Sequence, residues 1–188
     1  MQYDLASLQY WLRSNSFEFW IGIALILSFV AFFSFIFKKK TKHELFVKRA
    51  YRALAKVNSI AVSAKRMQYL RKMNPYVFEE LVLCAFKNLG YKIKRNRKYT
   101  GDGGIDGKVI IKGKVILIQV KRYKGHISMR HVVEFDKLCS RHKTTGLFVH
   151  TGKTGKGSKQ YALQSNVSII SGSQLLSFLS GDYNPDLS

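Results

Sequence analysis

From Phe19 to Phe37 the chain reads FWIGIALILSFVAFFSFIF, an apolar run without a single charge. At about 1.5 Å per helical residue, such a run comes close to crossing a hydrocarbon core of about 30 Å. It predicts a transmembrane helix over 17–37, after a short N-terminus of residues 1–16. The rhythm then changes. Leu45, Phe46, Ala50, Leu54, Val57 and Ile60 fall at helical spacing, and no Pro or Gly interrupts 42–72. This predicts a linker helix within 38–72. Asn74-Pro75 reads as an N-cap followed by Pro at the first helical position. Beyond it, helical and strand rhythms alternate. They predict a helix (about 75–89), a strand (91–96), a hairpin (about 105–123) and a helix (about 127–142), followed by a strand (146–151), a helix (about 157–165), a strand (167–171) and a helix (173–180). That order implies an α/β domain over 73–181, a mixed central sheet flanked by helices, with 182–188 as a tail.

The hairpin is the most informative stretch. Residues 101–123 read GDGGIDGKVIIKGKVILIQVKRY, with two runs rich in β-branched residues around Lys112-Gly113-Lys114. A two-residue turn at Lys112-Gly113 places Asp106 opposite Gln119; one at Gly113-Lys114 places it opposite Lys121. Gln119 and Lys121 share a face because the strand period is two. Either turn therefore gathers Asp106, Gln119 and Lys121 on one surface. A three-residue turn or a bulge would put Asp106 opposite Val120 instead. An acid, an amide and a lysine on one sheet face suit a divalent metal held beside a phosphate. The bland alternative, an exposed Asp106–Lys121 salt bridge worth under about 1 kcal/mol, does not explain so glycine-rich a turn before the acid.

Charge changes the picture next. The chain carries 32 basic against 11 acidic residues, a formal net charge of +21, in 188 residues. Almost all the basic residues follow Lys38, which implies a polyanionic partner. Lys38, Lys39, Lys40 and Lys42 come directly after the apolar run, so the positive-inside rule puts residues 1–16 outside and the rest in the cytoplasm. A cleaved signal peptide would carry its charge first. The linker's Lys48, Arg49, Arg52, Lys56, Lys65, Arg66, Arg71 and Lys72 suit anionic lipid, DNA or a solvated spacer, and the sequence does not separate the three.

On the Pro75 helix, Phe78, Leu81, Val82, Ala85, Phe86 and Leu89 form the apolar stripe. Glu80 falls nearly opposite it and is expected in solvent; Glu79 falls at its rim. Cys84 and Cys139 sit among apolar neighbours with no metal or disulfide spacing, so they read as core thiols. HTGKTGKGSK (150–159) lacks the first glycine of a phosphate loop, since Leu147 stands there. It reads as a basic loop with Ser158 capping the next helix.

Residues 74–180 resemble the Mrr-type restriction endonuclease domain of the PD-(D/E)xK nuclease superfamily. The resemblance rests on NPYVFEELVLCAFKNLGY, GDGGIDG, IQVKRY and LFVHTG…SKQYA…VSIISGSQLL, in that order. It implies a restriction-endonuclease-like core and Mg²⁺ or Mn²⁺ as cofactor. Asp106 matches the metal-binding acid, Gln119 the Glu or Gln place, Lys121 the motif lysine, and Glu79 the acid of the first helix. Asp102 matches a less essential acid of the turn. Gln119 departs from the superfamily's commoner Glu, so metal binding would lean on Asp106, Glu79 and substrate phosphate. Lys92, Lys94, Arg95, Arg97, Lys98, Arg122 and Lys124, with Lys153 and Lys156, would contact DNA phosphates.

The expectation is a DNA endonuclease anchored in a bacterial inner membrane, with its domain in the cytoplasm. Double-strand cleavage would call for a homodimer. The rival readings are a membrane-tethered DNA-binding module that does not cut, and a membrane-surface scaffold.

Overall fold

The structure, a computed structural model, describes residues 4–14, 16–36, 42–96 and 103–185. The chain divides into two compact units, Met1–Thr41 and Lys42–Ser188. The first holds α1 (Leu5–Ser14) and α2 (Ser16–Ile36). Glu18 is the only charge in α2, and most of its described apolar side chains, Leu25, Ile26 and Phe29 among them, are exposed. Among the described residues no helix is long and apolar enough to cross a membrane. The backbone of α2 is helical over 21 residues, but Phe37 and the side chains at 31 and 34–36 of the predicted span lie outside the described residues.

The second unit runs α3 (Lys42–Ser59), α4 (Ser63–Lys72), α5 (Pro75–Asn88), β1 (Lys92–Arg95), β2 (Gly107–Ile111) and β3 (Lys114–Lys121). It continues with α6 (Met129–Arg141), β4 (Gly146–His150), α7 (Lys156–Leu163), β5 (Val167–Ile170) and α8 (Gly172–Ser180). The strands form one sheet in the order β1-β2-β3-β4-β5. The pairs β1–β2 and β2–β3 are antiparallel, while β3–β4 and β4–β5 are parallel. Parallel neighbours require crossovers, which α6 and α7 supply.

Two apolar cores lie on the two faces of this sheet. Ile116, Ile118 and Val120 of β3 pack with Val109, Ile111, Leu81, Val82, Phe86 and Phe178, beneath α5 and α8. Leu117 packs with Phe135, Leu138, Cys139 and Phe148, beneath α6. Burial pushes the Cys139 thiol up to about 12, with Asp136 adding to it, and raises Cys84 as well. Both cysteines are free and buried, as core thiols should be.

The structure departs from the predicted linker. Residues 42–72 form two helices, and α3 buries Ala50, Ala53, Leu54 and Val57 in the same core as α5. Asn58 Nδ2 donates to the Leu179 carbonyl at 2.8 Å, and Arg66 Nη2 donates to Asn58 Oδ1, Ser180 Oγ and the Leu176 carbonyl. Its apolar stripe is therefore part of the fold, and its basic face is what remains outside. The same packing overturns the expectation for Glu80. With α3 over the back of α5, Glu80 is 2 % exposed. It pairs with Arg95 Nε at 2.7 Å and lies 3.5 Å from His43 Nδ1. Arg95, expected on a phosphate-binding surface, instead partners a buried carboxylate.

Candidate active site

The hairpin turn is Lys112-Gly113, with φ of 48° and 79°. Positive φ at both positions makes it the type I′ turn that suits the twist of antiparallel strands. Ile111 pairs Lys114 and Gly107 pairs Ile118, so the first of the two registers holds. Asp106 stands one step beyond the ladder, opposite Gln119. Two bonds clamp it there: its N–H donates to the Ile118 carbonyl at 2.8 Å, and its Oδ2 accepts from Val120 N–H at 2.6 Å.

The glycines before the acid have a geometric reason. Gly104 has φ of 94°, and a Cβ there would lie 2.7 Å from Gln119 Nε2. That same nitrogen donates to the Gly104 carbonyl at 2.7 Å. The turn thus closes onto the Gln119 amide, which only glycine permits at both the required φ and the required distance. Gln119 is 7 % exposed, and its Oε1 has no hydrogen-bond partner among the described residues. A buried acceptor left unpaired is costly in a structural core and useful in a binding site.

That amide faces a cavity of about 180 Å³ lined by Gly103, Gly104, Gln119, Lys121, His131, Glu134, Phe135 and Leu138. Gln119 and Lys121 come from β3. His131, Glu134, Phe135 and Leu138 come from one face of α6, at i, i+3, i+4 and i+7. Sequence reasoning missed His131 and Glu134, although HVVEFDKL after QVKRY carries this spacing opposite a period-two strand. Glu134 is exposed and accepts from Arg130 Nε at 2.8 Å. This bond holds its carboxyl below the usual range, with Arg130, His131 and Lys121 adding favourable charge. The Tyr123 hydroxyl is bonded to His131 Nδ1. Burial raises the Tyr123 phenol, so it stays protonated.

The other predicted residues are dispersed. Glu79 is half-buried on α5, in the layer that covers the opposite face of the sheet from Gln119. Neither Glu79 nor Asp106 lines the cavity. Lys98 and Asp102 lie outside the described residues. Arg122 is exposed, but its Nη1 donates to the carbonyls of Arg71 and Met73 at 3.3 and 2.5 Å, which ties the residue after β3 to the end of α4. Lys124 and Lys153 are exposed on loops laced together by Ile127 N–H to Lys153 O and Lys153 N–H to Gly125 O. Lys156 is exposed at the start of α7. That helix is capped at Gly155, not at Ser158, which lies buried within it.

Among the described residues no cluster of three His, Cys, Asp or Glu side chains is placed to hold a metal ion. The donor types still fit a hard cation: the Asp106 carboxylate, and Gln119 Oε1 with no hydrogen-bond partner among the described residues. Mg²⁺ takes few protein oxygens and completes its shell with water and phosphate.

A family model described as restriction endonuclease, of the Mrr catalytic type, matches residues 70–179. No curated protein matches the sequence. Among solved structures, the MspJI restriction endonuclease in complex with a 27-mer oligonucleotide is similar, with a TM-score of 0.50 and 24 % identity over 64 % of this chain and 31 % of that one. Restriction endonuclease FokI follows, with a TM-score of 0.45 and 15 % identity over 77 % of this chain and 32 % of that one. The chain spans about a third of the length of these two proteins. MspJI shares the fold of the α/β unit.

Proposed function

Since the chain belongs to the Mrr-type restriction endonuclease family, we propose that it is a metal-dependent endodeoxyribonuclease, held at a membrane by residues 17–37. One observation carries the enzymatic reading: the buried, unpaired Gln119 Oε1 shares a strand face with Lys121, opposite the clamped Asp106. A domain that merely bound DNA would have no use for that acceptor.

Asp106 and Gln119 would hold Mg²⁺ or Mn²⁺, with water and substrate phosphate completing the shell in place of Glu79, which lies in the layer on the other face of the sheet. A cation bound there polarises the scissile phosphate and lowers the pKa of bound water. Lys121, beside Gln119 in the cavity, orients the attacking water or stabilises charge developing on the phosphate. Lys124 and Lys153, on their laced loops, and Lys156 contact neighbouring phosphates without reading bases. Cutting both strands of a duplex requires two such sites, hence a second copy of the chain.

Anchoring is supported by the exposed apolar side chains of α2 and by the lysines at 38–40 and 42. They favour a single pass through a bacterial inner membrane, with the N-terminus outside and the nuclease in the cytoplasm. Extraction of cell membranes with alkaline carbonate tests this: an anchored chain stays with the lipid, and release into the supernatant overturns anchoring.

The enzymatic test uses the full-length protein with supercoiled plasmid and Mg²⁺ or Mn²⁺, beside Asp106→Ala and Lys121→Ala. Nicked or linear product from the wild type alone supports the nuclease. Plasmid retarded but uncut, equally by all three proteins, overturns it in favour of a DNA-binding module.

A further inference from the structure

The α6 wall of the cavity carries one group the nuclease reading does not use. His131 lines it beside Lys121 and Gln119, whose buried Oε1 has no partner among the described residues, and its Nδ1 is bonded to the Tyr123 hydroxyl. The position is built from two directions. Gln119, Lys121 and Tyr123 follow one another at period two along β3 and its extension, while His131, Glu134 and Leu138 descend one face of α6 over them. Tyr123 is itself fixed: its N–H donates to Thr151 Oγ1 at 3.0 Å, and its carbonyl accepts from the same hydroxyl at 2.9 Å. The His131 ring is therefore bonded to a phenol whose backbone is held at both its N–H and its carbonyl.

That bond decides what the ring offers. A protonated phenol needs an acceptor, and among the described residues His131 Nδ1 is the one it has. With Nδ1 accepting, the proton of a neutral imidazole sits on Nε2. If the ring is charged instead, Nε2 carries a proton as well. With Nδ1 accepting from the phenol, or with the ring charged, Nε2 is a donor, and no hydrogen bond among the described residues uses it. The cavity then combines an ammonium from Lys121, an imidazole N–H and an amide oxygen: two donors for an anion and one acceptor for a cation or water. Glu134 stands at its wall with Arg130 as its partner, so the charge of that carboxylate is already matched.

Resting on the nuclease reading, we propose that His131 is a further catalytic residue. Its Nε2–H hydrogen-bonds a non-bridging oxygen of the scissile phosphate, and Tyr123 is the positioning residue that fixes its tautomer and orientation. A donor aimed at oxygen that gains charge in the transition state acts mainly on kcat.

The test is plasmid nicking by the full-length protein with Mn²⁺, with DNA affinity measured separately in Ca²⁺. His131→Ala should lower kcat on the order of 10²-fold while leaving DNA affinity and the melting temperature in place. His131→Gln, which keeps an N–H near the Nε2 position, should regain about tenfold, the worth of one hydrogen bond. Tyr123→Phe should lose about tenfold, since the ring keeps neither its fixed tautomer nor its fixed orientation. Nicking by His131→Ala within twofold of wild type overturns the proposal, as does equal loss in the Ala and Gln variants. Should the Ala variant unfold, His131→Gln against His131→Glu decides: their size is similar and only Gln can donate, so equal rates overturn it. Wild type that cuts while Lys121→Ala does not secures the nuclease reading separately. Wild type that leaves DNA uncut defeats both.

Discussion

The two faces of β3 are built from the same eight-residue strand and differ in almost every physical respect. On one face Ile116, Ile118 and Val120 are buried and apolar, packed beneath α5 and α8. On the other, Leu117 continues the core only as far as Gln119, where a polar cavity opens and leads to Lys121. Burial of methylenes stabilises the first face. The second keeps an acceptor without a partner, which costs stability and is retained beside a lysine and a clamped acid. One strand thus separates an apolar core from a polar cavity by the alternation of its side chains alone.

The sharpest way to break this contrast is to truncate one residue on each face. Lys121→Ala should lower nicking on the order of 10³-fold, since it removes charge stabilisation where it is needed, and should shift the denaturation midpoint little. Ile118→Ala, fully buried, should cost about 4 kcal/mol of stability from lost transfer energy and the cavity left behind. Its surviving folded molecules should still cut. Urea denaturation and plasmid nicking on both variants check the pair. Matching losses in both assays for either variant would show that the faces are coupled.

The apolar face has its own polar exception in Glu80, which compares instructively with Gln119. Glu80 is as deeply buried, but Arg95 Nε sits 2.7 Å away. Removing that partner leaves the buried carboxylate without its closest counter-charge, with His43 still 3.5 Å away, so Arg95→Ala should cost about 3 kcal/mol. The Arg95 side chain is 22 % exposed, which holds the figure at the low end. Nicking per folded molecule should persist, because this pair belongs to the layer away from the cavity. Denaturation of Arg95→Ala beside an Arg95→Ala, Glu80→Gln double variant separates the lost pair from the stranded charge: the second change should recover part of the loss.

His150 makes the contrast dependent on pH. It is fully buried at the end of β4. Its Nδ1 accepts from Gly152 N–H at 3.1 Å and its Nε2 is 3.0 Å from Thr154 Oγ1. Desolvation lowers its pKa from 6.5 to about 4. A base with a depressed folded pKa is neutral in the native state, while the unfolded chain takes up its proton first. Its contribution is therefore complete above about pH 6.5 and is lost as pH falls toward 4. Between pH 7 and 4.5 the loss should be about 2 kcal/mol. Denaturation midpoints across that window should fall for wild type and flatten in His150→Gln. An unchanged slope in the variant would assign the acid sensitivity elsewhere.

What was legible in the sequence follows the range of the forces involved. Asn74-Pro75, the alternating runs of the hairpin and the helices after it are set by local rules, and each strand and helix of 75–180 lies where its rhythm placed it. Asp106, Gln119 and Lys121 were legible because a two-residue turn fixes register over a short loop. Glu80 was misread because its environment comes from α3, a segment whose own pattern looked like a linker. Nothing local says that the stripe Ala50, Leu54 and Val57 covers the back of α5. His131 and Glu134 escaped because their meaning lies in a helix laid across a strand, a contact no single period reveals.

The smallest expected effect tests what holds the two faces in register. Gly113 has φ of 79°, and a Cβ there would meet nothing within 4 Å. The cost of Gly113→Ala is therefore backbone strain alone, roughly 1 kcal/mol. If the turn were the sole determinant of register, that strain would favour slippage. A one-residue slip would carry Asp106 away from Gln119 and cut activity severely. The structure supplies a second lock at the other end of the hairpin, where Asp106 bonds Ile118 O and Val120 N–H. Gly113→Ala should accordingly lower stability by about 1 kcal/mol and leave nicking within a factor of two of wild type. Loss of nicking at unchanged stability would mean that the turn alone aligns the acid with the amide, and that the Asp106 clamp follows register without setting it.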